Sequence, residues 1–281
     1  MKQVDRYLEF MQYGRNLRPK TIQELKSDFN NIDFDIENAI RYDVESYIIG
    51  LNKQGLSTGT INRRLATLSG FFEWQLYNGL RQGLNPAGGK IAPKVITEHH
   101  QAITKRELDM LYNHAPNNNI KGAIALMGYA GLRISECVKV GSSNNVYRDK
   151  NDIPAVHLVD TKGGKERKVT LALVPDVEVI DKIMRDGGFV GQRGLMTHNG
   201  LWRQLKNYFS DMGYYDLTIH GLRATFATIL AENSVRIDVI RDIMGHVTLG
   251  GNEITSRYIA ITSVEEQARE LLEKEKGLEN D

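Results

Sequence analysis

The stretch from Ile219 to Ala260 decides the fold, and it begins with the string Ile219-His220-Gly221-Leu222-Arg223-Ala224-Thr225-Phe226-Ala227-Thr228. This pattern predicts a loop that enters a helix, with His220 and Arg223 on one side of the first turn. A helix N-terminus carries partial positive charge, so an imidazole and a guanidinium placed there would form a receptor for a phosphate group. Downstream follow Met244-Gly245-His246 and then Tyr258, the sole tyrosine after Tyr215.

Length and composition indicate a soluble, cytoplasmic protein of two domains. The 281 residues are enough for two domains of ordinary size. No stretch approaches the roughly 20 apolar residues of a membrane span, and the N-terminus has no signal-peptide core. The single cysteine, Cys137, excludes an internal disulfide framework and fits a reducing compartment.

Charge is unevenly distributed along the chain. The net charge is +1, which is low for a nucleic-acid-binding protein. Residues 264–281 carry 3 basic and 7 acidic side chains, so residues 1–263 carry 33 basic against 28 acidic, a net +5. A DNA partner would therefore require a locally patterned positive surface.

Residues 1–88 are predicted to form an all-helical domain. Apolar side chains recur there at helical spacing, and Ser57-Thr58-Gly59-Thr60 is a capping sequence for the last helix. Four polar side chains lie near the start of that helix: Thr60, Asn62, Arg63 and Arg64. They either form an ordinary solvated face or face DNA phosphates, and the sequence leaves both interpretations open.

Residues 85–94 concentrate glycine and proline and lack an apolar period, so the linker between the domains is predicted here, with bounds 89–98. Residues 99–281 then form a second domain. It opens with a capping box at Thr104 and Glu107, and residues 120–129 form a strongly apolar helix that should be buried.

Arg133 and Glu136 lie at the start of the next predicted helix, just after Ala130-Gly131. They are one turn apart, so the carboxylate can hold the guanidinium in place. The same spacing occurs in ordinary salt bridges, so this pair alone is a weak signal.

Two strands are predicted over residues 155–159 and 168–173, where the apolar pattern changes from helical to strand-like. The hairpin tip between them is basic and contains Lys162, Lys165 and Arg167. Most such tips are solvated turns. If this tip bends over a phosphate, Lys162 could protonate a leaving oxygen and the other two could bind DNA.

The remaining segments are predicted to be helical. They cover residues 175–186, 200–212 and 232–244, with Gly245 as a C-cap, and an acidic helix over residues 263–276. The fold class expected is therefore mainly α with a small antiparallel β-sheet (α+β). The sequence contains neither a P-loop nor a dinucleotide fingerprint nor a carboxylate cluster of metal-site type, so we expect no cofactor and no metal.

Six residues, in this order along the chain, resemble the conserved set of a known family: Arg133, Lys162, His220, Arg223, His246 and Tyr258. Their order and surrounding strings are similar to those of the tyrosine recombinases, which include phage integrases, Cre-type recombinases and Xer-type resolvases. The resemblance covers nearly the whole chain, because residues 1–88 look like the family's SAM-like core-binding domain and residues 99–281 like its catalytic domain.

The resemblance implies a role for each residue. Arg133 and Arg223 would clamp the non-bridging oxygens of a DNA phosphodiester in fork geometry. Tyr258 would attack the phosphorus, with His220 as general base and Lys162 as the acid for the 5′-hydroxyl leaving group. The product would be a 3′-phosphotyrosyl link that conserves the bond energy, so the reaction would need no ATP.

Two further residues complete the implied site. His246 would donate a hydrogen bond to the same phosphate, and Glu136 would support the arginines without taking part in the chemistry. The interval from His246 to Tyr258 is slightly longer than the commonest family pattern.

The same resemblance implies partners and a location. They are double-stranded DNA attachment sites, a homotetramer assembled on DNA through the helix over residues 263–276, and accessory DNA-bending proteins. We expect a cytoplasmic, nucleoid-associated protein without a membrane partner.

Three functions fit this resemblance. The first is integration and excision of a phage genome or other mobile element by DNA recombination. The second is Xer-type resolution of chromosome or plasmid dimers, and the third is an architectural DNA-binding factor that has lost catalysis. A type IB topoisomerase would share the chemistry, but it would not need the core-binding helices in this form.

Overall fold

The chain divides into two units, Met1–Glu98 and His99–Asp281. The structure, a computed structural model, describes residues 3–89, 91–93, 102–149, 152–159 and 166–245. The predicted linker over residues 89–98 lies mostly outside these ranges, and the predicted helix over residues 263–276 lies wholly outside them.

The N-terminal unit is helical throughout its described part, as predicted. Its helices are α1 (Gln3–Glu9, extended by a π-helical turn over Phe10–Gly14), α2 (Pro19–Asn30), α3 (Arg41–Lys53) and α4 (Thr58–Tyr77). The Ser57 hydroxyl caps α4 by accepting a hydrogen bond from the Thr60 backbone N–H at 3.2 Å. Phe71 and Phe72 on α4 are completely buried and form the centre of this unit's core.

The C-terminal unit begins with three helical segments. They are α5 (Lys105–Asn113), α6 (Asn118–Ile124, continued by a π-helical turn over Ala125–Tyr129) and α7 (Ile134–Cys137). The predicted capping box of α5 is confirmed, because the Thr104 hydroxyl accepts from the Glu107 N–H and the Glu107 carboxylate accepts from the Thr104 N–H. Nearly all of α6 and its π turn is buried, as their apolar sequence predicts.

A three-stranded antiparallel sheet follows, with the order β1 (Asn145–Arg148), β2 (Pro154–Leu158) and β3 (Arg167–Thr170). Val146, Val156 and Val169 are paired across the strands and form its core-facing side. The sheet therefore packs one face on the core of this unit.

The rest of the described chain is mainly helical. It comprises α8 (Glu178–Arg185), a short hairpin of β4 (Val190–Gly191) and β5 (Gly194–Leu195), α9 (His198–Asp211), α10 (Ile219–Glu232) and α11 (Ile237–Met244). The predicted fold class, mainly α with a small antiparallel sheet, is confirmed. No helix in the described ranges has the length and apolarity required to cross a membrane.

Three element predictions need correction. Strand β3 ends at Thr170 rather than residue 173, because the chain turns after Leu171, whose carbonyl accepts from the Val174 N–H at 3.0 Å. The helix predicted from residue 232 begins at Ile237, because Ser234 adopts a left-handed conformation with φ +60°. Strand β1 and the β4–β5 hairpin were not predicted, since these strands carry few apolar residues.

Candidate active site

Glu136 lies at the centre of a charged cluster in the C-terminal unit. Its side chain is 6% exposed, and it sits in the first turn of the short helix α7. There Oε2 accepts from the Arg133 backbone N–H at 2.8 Å, and Oε1 accepts from the Arg133 guanidinium at 2.9 Å. The carboxylate thus caps its own helix and holds the first predicted arginine.

Arg167, at the start of β3, binds the same carboxylate from the other side. Its two terminal nitrogens donate to Oε1 and Oε2 of Glu136, each at 2.9 Å. This is the bidentate fork that makes arginine–carboxylate pairs strong and directional. Arg167 was predicted at a DNA-binding hairpin tip, but its side chain is 14% exposed and is directed to the interior.

Arg223, in the first half of α10, is the most deeply buried arginine of the cluster, with a side chain 6% exposed. Its Nη1 donates to the Gly131 carbonyl and its Nη2 to the Met244 carbonyl. The shortest Arg223–Glu136 distance is 3.9 Å, from Nη1 to Oε2. Main-chain oxygens therefore orient this guanidinium, and Glu136 supplies only a nearby negative charge.

The C-terminus of α11 contributes to the same place. Gly245 ends this helix in the left-handed conformation, φ +60°, as its predicted C-cap role requires. Its carbonyl accepts a hydrogen bond from Arg133 Nη2 at 3.1 Å. Four segments far apart in sequence thus meet here. Three of them supply the group that we call the arginine cluster: Arg133, Arg167 and Arg223 around Glu136.

The arginine cluster has an excess of positive charge, which favours binding of an anion. Burial raises the pKa of Glu136, but the charge of Arg167 and the hydrogen bonds from Arg167 and Arg133 outweigh it, so this pKa is lowered. Burial, followed by repulsion from Arg133 and Arg167, lowers the pKa of Arg223 to about 9, although Glu136 opposes the shift. Three guanidiniums and one carboxylate carry a net charge of +2, which an incoming phosphate would offset.

Within the described part of the chain, Arg223 has more N–H donors than protein acceptors. A guanidinium has five N–H groups. In Arg223, two of them donate to the described carbonyl partners. The arrangement can therefore bind the two non-bridging oxygens of a phosphodiester while its own hydrogen bonds keep the arginines in place.

His220 occupies the first turn of α10, as predicted, and its side chain is exposed. Thr218 caps this helix by accepting from the Gly221 N–H at 2.9 Å. Arg223 follows one turn later on the same helix. The imidazole is thus accessible to a solvent-side ligand at a helix N-terminus, whereas the guanidinium is held inside.

The four predicted DNA-binding residues of the N-terminal unit have partners within that unit. Thr60 and Ser57 share a hydrogen bond between their hydroxyls, and the Asn62 amide donates to the Pro93 carbonyl. Arg64 donates to the Tyr47 hydroxyl at 3.3 Å.

Arg63 forms an ion pair with a buried carboxylate of the same unit. It pairs with Asp28, whose side chain is 3% exposed, at 2.5 Å. Thr67 donates to the same carboxylate oxygen. Arg63 therefore neutralises a buried charge between α2 and α4, although half of its side chain remains exposed.

Four predicted residues lie outside the described ranges: Lys162, Lys165, His246 and Tyr258. In sequence, Lys162 and Lys165 fall between the end of β2 and the start of β3, and His246 follows Gly245 directly. Among the described residues, no group of three or more His, Cys, Asp or Glu side chains could hold a metal ion.

Sequence reasoning missed part of the site. It assigned Arg167 to the hairpin tip, although residues i and i+2 of a strand share a face and the apolar Val169 marks the core side. That alternation could have revealed the inward direction of Arg167. The carbonyl acceptors of Gly131, Met244 and Gly245 had no sequence signal, because any residue has a carbonyl.

Comparison with family models gives two matches. Residues 101–264 match the phage integrase family, and residues 4–79 match the phage integrase N-terminal SAM-like domain. The first match covers more than half of the chain.

Similar proteins of known name are recombinases. The chain is 27% identical to tyrosine recombinase XerC of Herpetosiphon aurantiacus, over 90% of this chain and 89% of that protein. It is also 27% identical to tyrosine recombinase XerA of Pyrococcus horikoshii, over 84% of this chain and 81% of that protein.

Solved structures share the fold. The Tn1549 transposon integrase in complex with transposon right end DNA matches with a TM-score of 0.65 and 18% identity, covering 97% of this chain and 99% of that one. A lambda integrase tetramer bound to a Holliday junction matches with a TM-score of 0.68 and 17% identity, covering 90% and 79%. The chain belongs to the phage integrase family and is a tyrosine recombinase, a DNA strand-transferring enzyme.

Proposed function

We propose that this protein is a site-specific recombinase that cuts and rejoins DNA through a covalent link between Tyr258 and a 3′-phosphate. The observation that supports the proposal most strongly is the arginine cluster, a buried and internally braced receptor of net charge +2. In a water-poor site such charges stabilise the extra negative charge of a phosphoryl-transfer transition state more strongly than in bulk water.

The proposed reaction has two reversible steps. The Tyr258 oxygen forms a bond to phosphorus while the bond to the 5′-oxygen breaks. His220 takes the phenol proton, and Lys162 gives a proton to the 5′-oxygen. The free 5′-hydroxyl of a partner strand then attacks the phosphotyrosine, which restores the tyrosine and a DNA phosphodiester without ATP or a metal.

Arg133 and Arg223 are proposed to bind the non-bridging oxygens, with His246 as a further donor. Thr60, Asn62, Arg63, Arg64 and Lys165 remain proposals for contacts to DNA. We also propose that four copies assemble on DNA through the segment 263–276, with accessory DNA-bending proteins, and that the enzyme acts at the nucleoid.

The biological role we propose is integration and excision of a phage or other mobile element. The fold likeness to transposon and lambda integrases is compatible with it. The identity to XerC and XerA favours a second candidate, resolution of replicon dimers. Recombination assays on two plasmids distinguish the two roles. An integrase should recombine a plasmid that carries two copies of the junction formed by the joined ends of the mobile element. A dimer resolvase should instead recombine a plasmid that carries two copies of a site from the host replicon.

The chemistry is tested with nicked DNA duplexes that carry candidate attachment sites. Wild-type protein should form an adduct that survives denaturation, in the presence of a chelator and without ATP. Tyr258→Phe should form none, whereas Tyr215→Phe, which removes the hydroxyl of an exposed tyrosine, should behave as wild type. An adduct formed by Tyr258→Phe would refute the assignment of Tyr258 as the nucleophile. A strict requirement for a metal ion would refute the mechanism.

A further inference from the structure

We propose that Arg167 is a positioning residue for strand cleavage, which acts by holding Glu136 and, through it, the guanidinium of Arg133. It does not act as a ligand of the DNA backbone. This inference rests on the proposed function above and adds a residue to its machinery.

The geometry of the carboxylate is the first argument. Glu136 Oε1 accepts from Arg167 and from Arg133, each at 2.9 Å, so both guanidiniums depend on the position of one atom. The second Arg167 nitrogen binds Oε2 and fixes the rotation of the carboxylate. A lysine in place of Arg167 could supply the charge but not the two parallel hydrogen bonds.

The second argument is the close approach of Arg167 to the end of α11. A Cβ built on Gly245 would lie 2.9 Å from Arg167 Cζ, closer than a Cβ comes to a non-bonded atom. The Gly245 carbonyl in turn accepts from Arg133. Arg167 is therefore packed between Glu136 and this main-chain segment, and Arg133 is bonded to both of them.

The third argument is the contrast with the next residue. Lys168 is exposed and lies over the ring of Tyr147, with Nζ 5.6 Å from the ring centroid. Strand alternation thus directs Lys168 to solvent and Arg167 to the cluster. Lys168→Gln removes one positive charge from the same strand, which makes it the matched control for any general loss of charge.

The test measures DNA affinity at several salt concentrations and the single-turnover rate of adduct formation at saturating DNA. For Arg167→Gln we expect a rate about 100-fold below wild type, since a small displacement of a catalytic group has this effect. We expect its salt dependence of binding to match wild type. A residue bound to a DNA phosphate would instead reduce the salt slope by about 1.

A double-mutant cycle then identifies the partner. If Arg167 acts through Glu136, Arg167→Gln should change the rate by less than about twofold in the Glu136→Gln background. Arg167→Lys should reproduce the slow rate of Arg167→Gln, because it lacks the fork; if Arg167→Gln fails to fold, Arg167→Lys is used in the cycle. Thermal unfolding of each variant checks the fold.

The outcomes separate this inference from the proposed function. An adduct with wild type, combined with additive effects of the two substitutions and a reduced salt slope, overturns the inference alone. The absence of any adduct with wild type overturns the proposed function, and this inference with it.

Discussion

The guanidinium of Arg223 and the carboxylate of Glu136 lie 3.9 Å apart, and each side chain is 6% exposed. This distance is too long for a hydrogen bond. Glu136 therefore acts on Arg223 through its charge alone, while main-chain carbonyls hold the guanidinium in place. Orientation of the Arg223 guanidinium and partial neutralisation of its charge thus depend on different groups. Substitution of Glu136 removes the second effect and leaves the carbonyls that provide the first.

The charge of Arg223 makes DNA affinity sensitive to alkaline pH. Burial, with repulsion from the neighbouring arginines, lowers the pKa of Arg223 to about 9, and Glu136 opposes this shift. Since the protonated form attracts phosphate, affinity should fall as the pH rises past that value. Glu136→Gln removes the opposing charge, so the fall should begin at a lower pH.

Binding isotherms over a range of about pH 7 to 10 check the shift in the pH at which affinity falls. This range spans the pKa of Arg223. Glu166→Gln is the matched control, because it removes a carboxylate that is 63% exposed and pairs with His157. An equal shift in the control would contradict the role given to Glu136.

Glu136→Gln should also lower the free energy of unfolding by about 3 kcal/mol, because it leaves the buried arginines without their counter-charge. The carboxylate accepts hydrogen bonds from the Arg133 backbone and from both neighbouring guanidiniums, and an amide cannot accept all of them. Chemical denaturation measures the loss. Glu166→Gln should change stability by less than about 1 kcal/mol, as for exposed pairs.

Alanine substitutions at three glycines with positive φ distinguish the cost of backbone strain from the cost of steric overlap. Gly213 has φ +83° and open space around it, so Gly213→Ala should cost about 1–2 kcal/mol for the left-handed conformation alone. Gly131 has φ +67°, and a Cβ there would lie 2.7 Å from Phe226 Cε1. Gly131→Ala should therefore cost more, by about 1–3 kcal/mol of overpacking.

Gly245→Ala should destabilise the protein and slow cleavage together, because its Cβ would displace the Arg167 guanidinium. Thermal melting and single-turnover cleavage of the three alanine variants give the comparison. Equal melting temperatures for Gly213→Ala and Gly131→Ala would contradict the packing argument.

Arg63 should contribute to stability as well as to charge. It pairs with the buried Asp28, so Arg63→Gln should lower the free energy of unfolding by about 2 kcal/mol, the value of a hydrogen bond to a charged group. Arg64→Gln, which removes a 3.3 Å hydrogen bond to the uncharged Tyr47 hydroxyl, should cost less. Denaturation of Arg63→Gln in the wild-type and Asp28→Asn backgrounds measures the coupling, and additive losses would exclude the pair.

Local signals in the sequence predicted most of the helices. The Thr104–Glu107 capping box and the Gly245 C-cap depend on residues within a few positions of each other, and both are confirmed. Strand β1 has the sequence Asn145-Val146-Tyr147-Arg148, in which only Val146 marks the core side, so periodicity could not identify it.

The composition of the site was predicted only in part. Arg133, Glu136 and Arg223 were singled out and meet in one cluster. The position of Arg167 in that cluster depends on the register of β3 against β2 and on the packing of the sheet against α7. Strand alternation could have predicted that Arg167 points inward, but its partner Glu136 lies 31 positions away, and no local pattern in one sequence identifies such a partner.

The hydrogen bonds of the arginine cluster join residues that are far apart in sequence. Gly131 and Arg223 are 92 positions apart, and Arg133 and Gly245 are 112 positions apart. Contacts of such separation require the long loops between them to close, which costs chain entropy. A chain that has been synthesised only as far as Arg223 therefore lacks the Gly245 carbonyl that holds Arg133, and its cluster is incomplete. Completion of the arginine cluster thus requires almost the whole described length of the C-terminal unit.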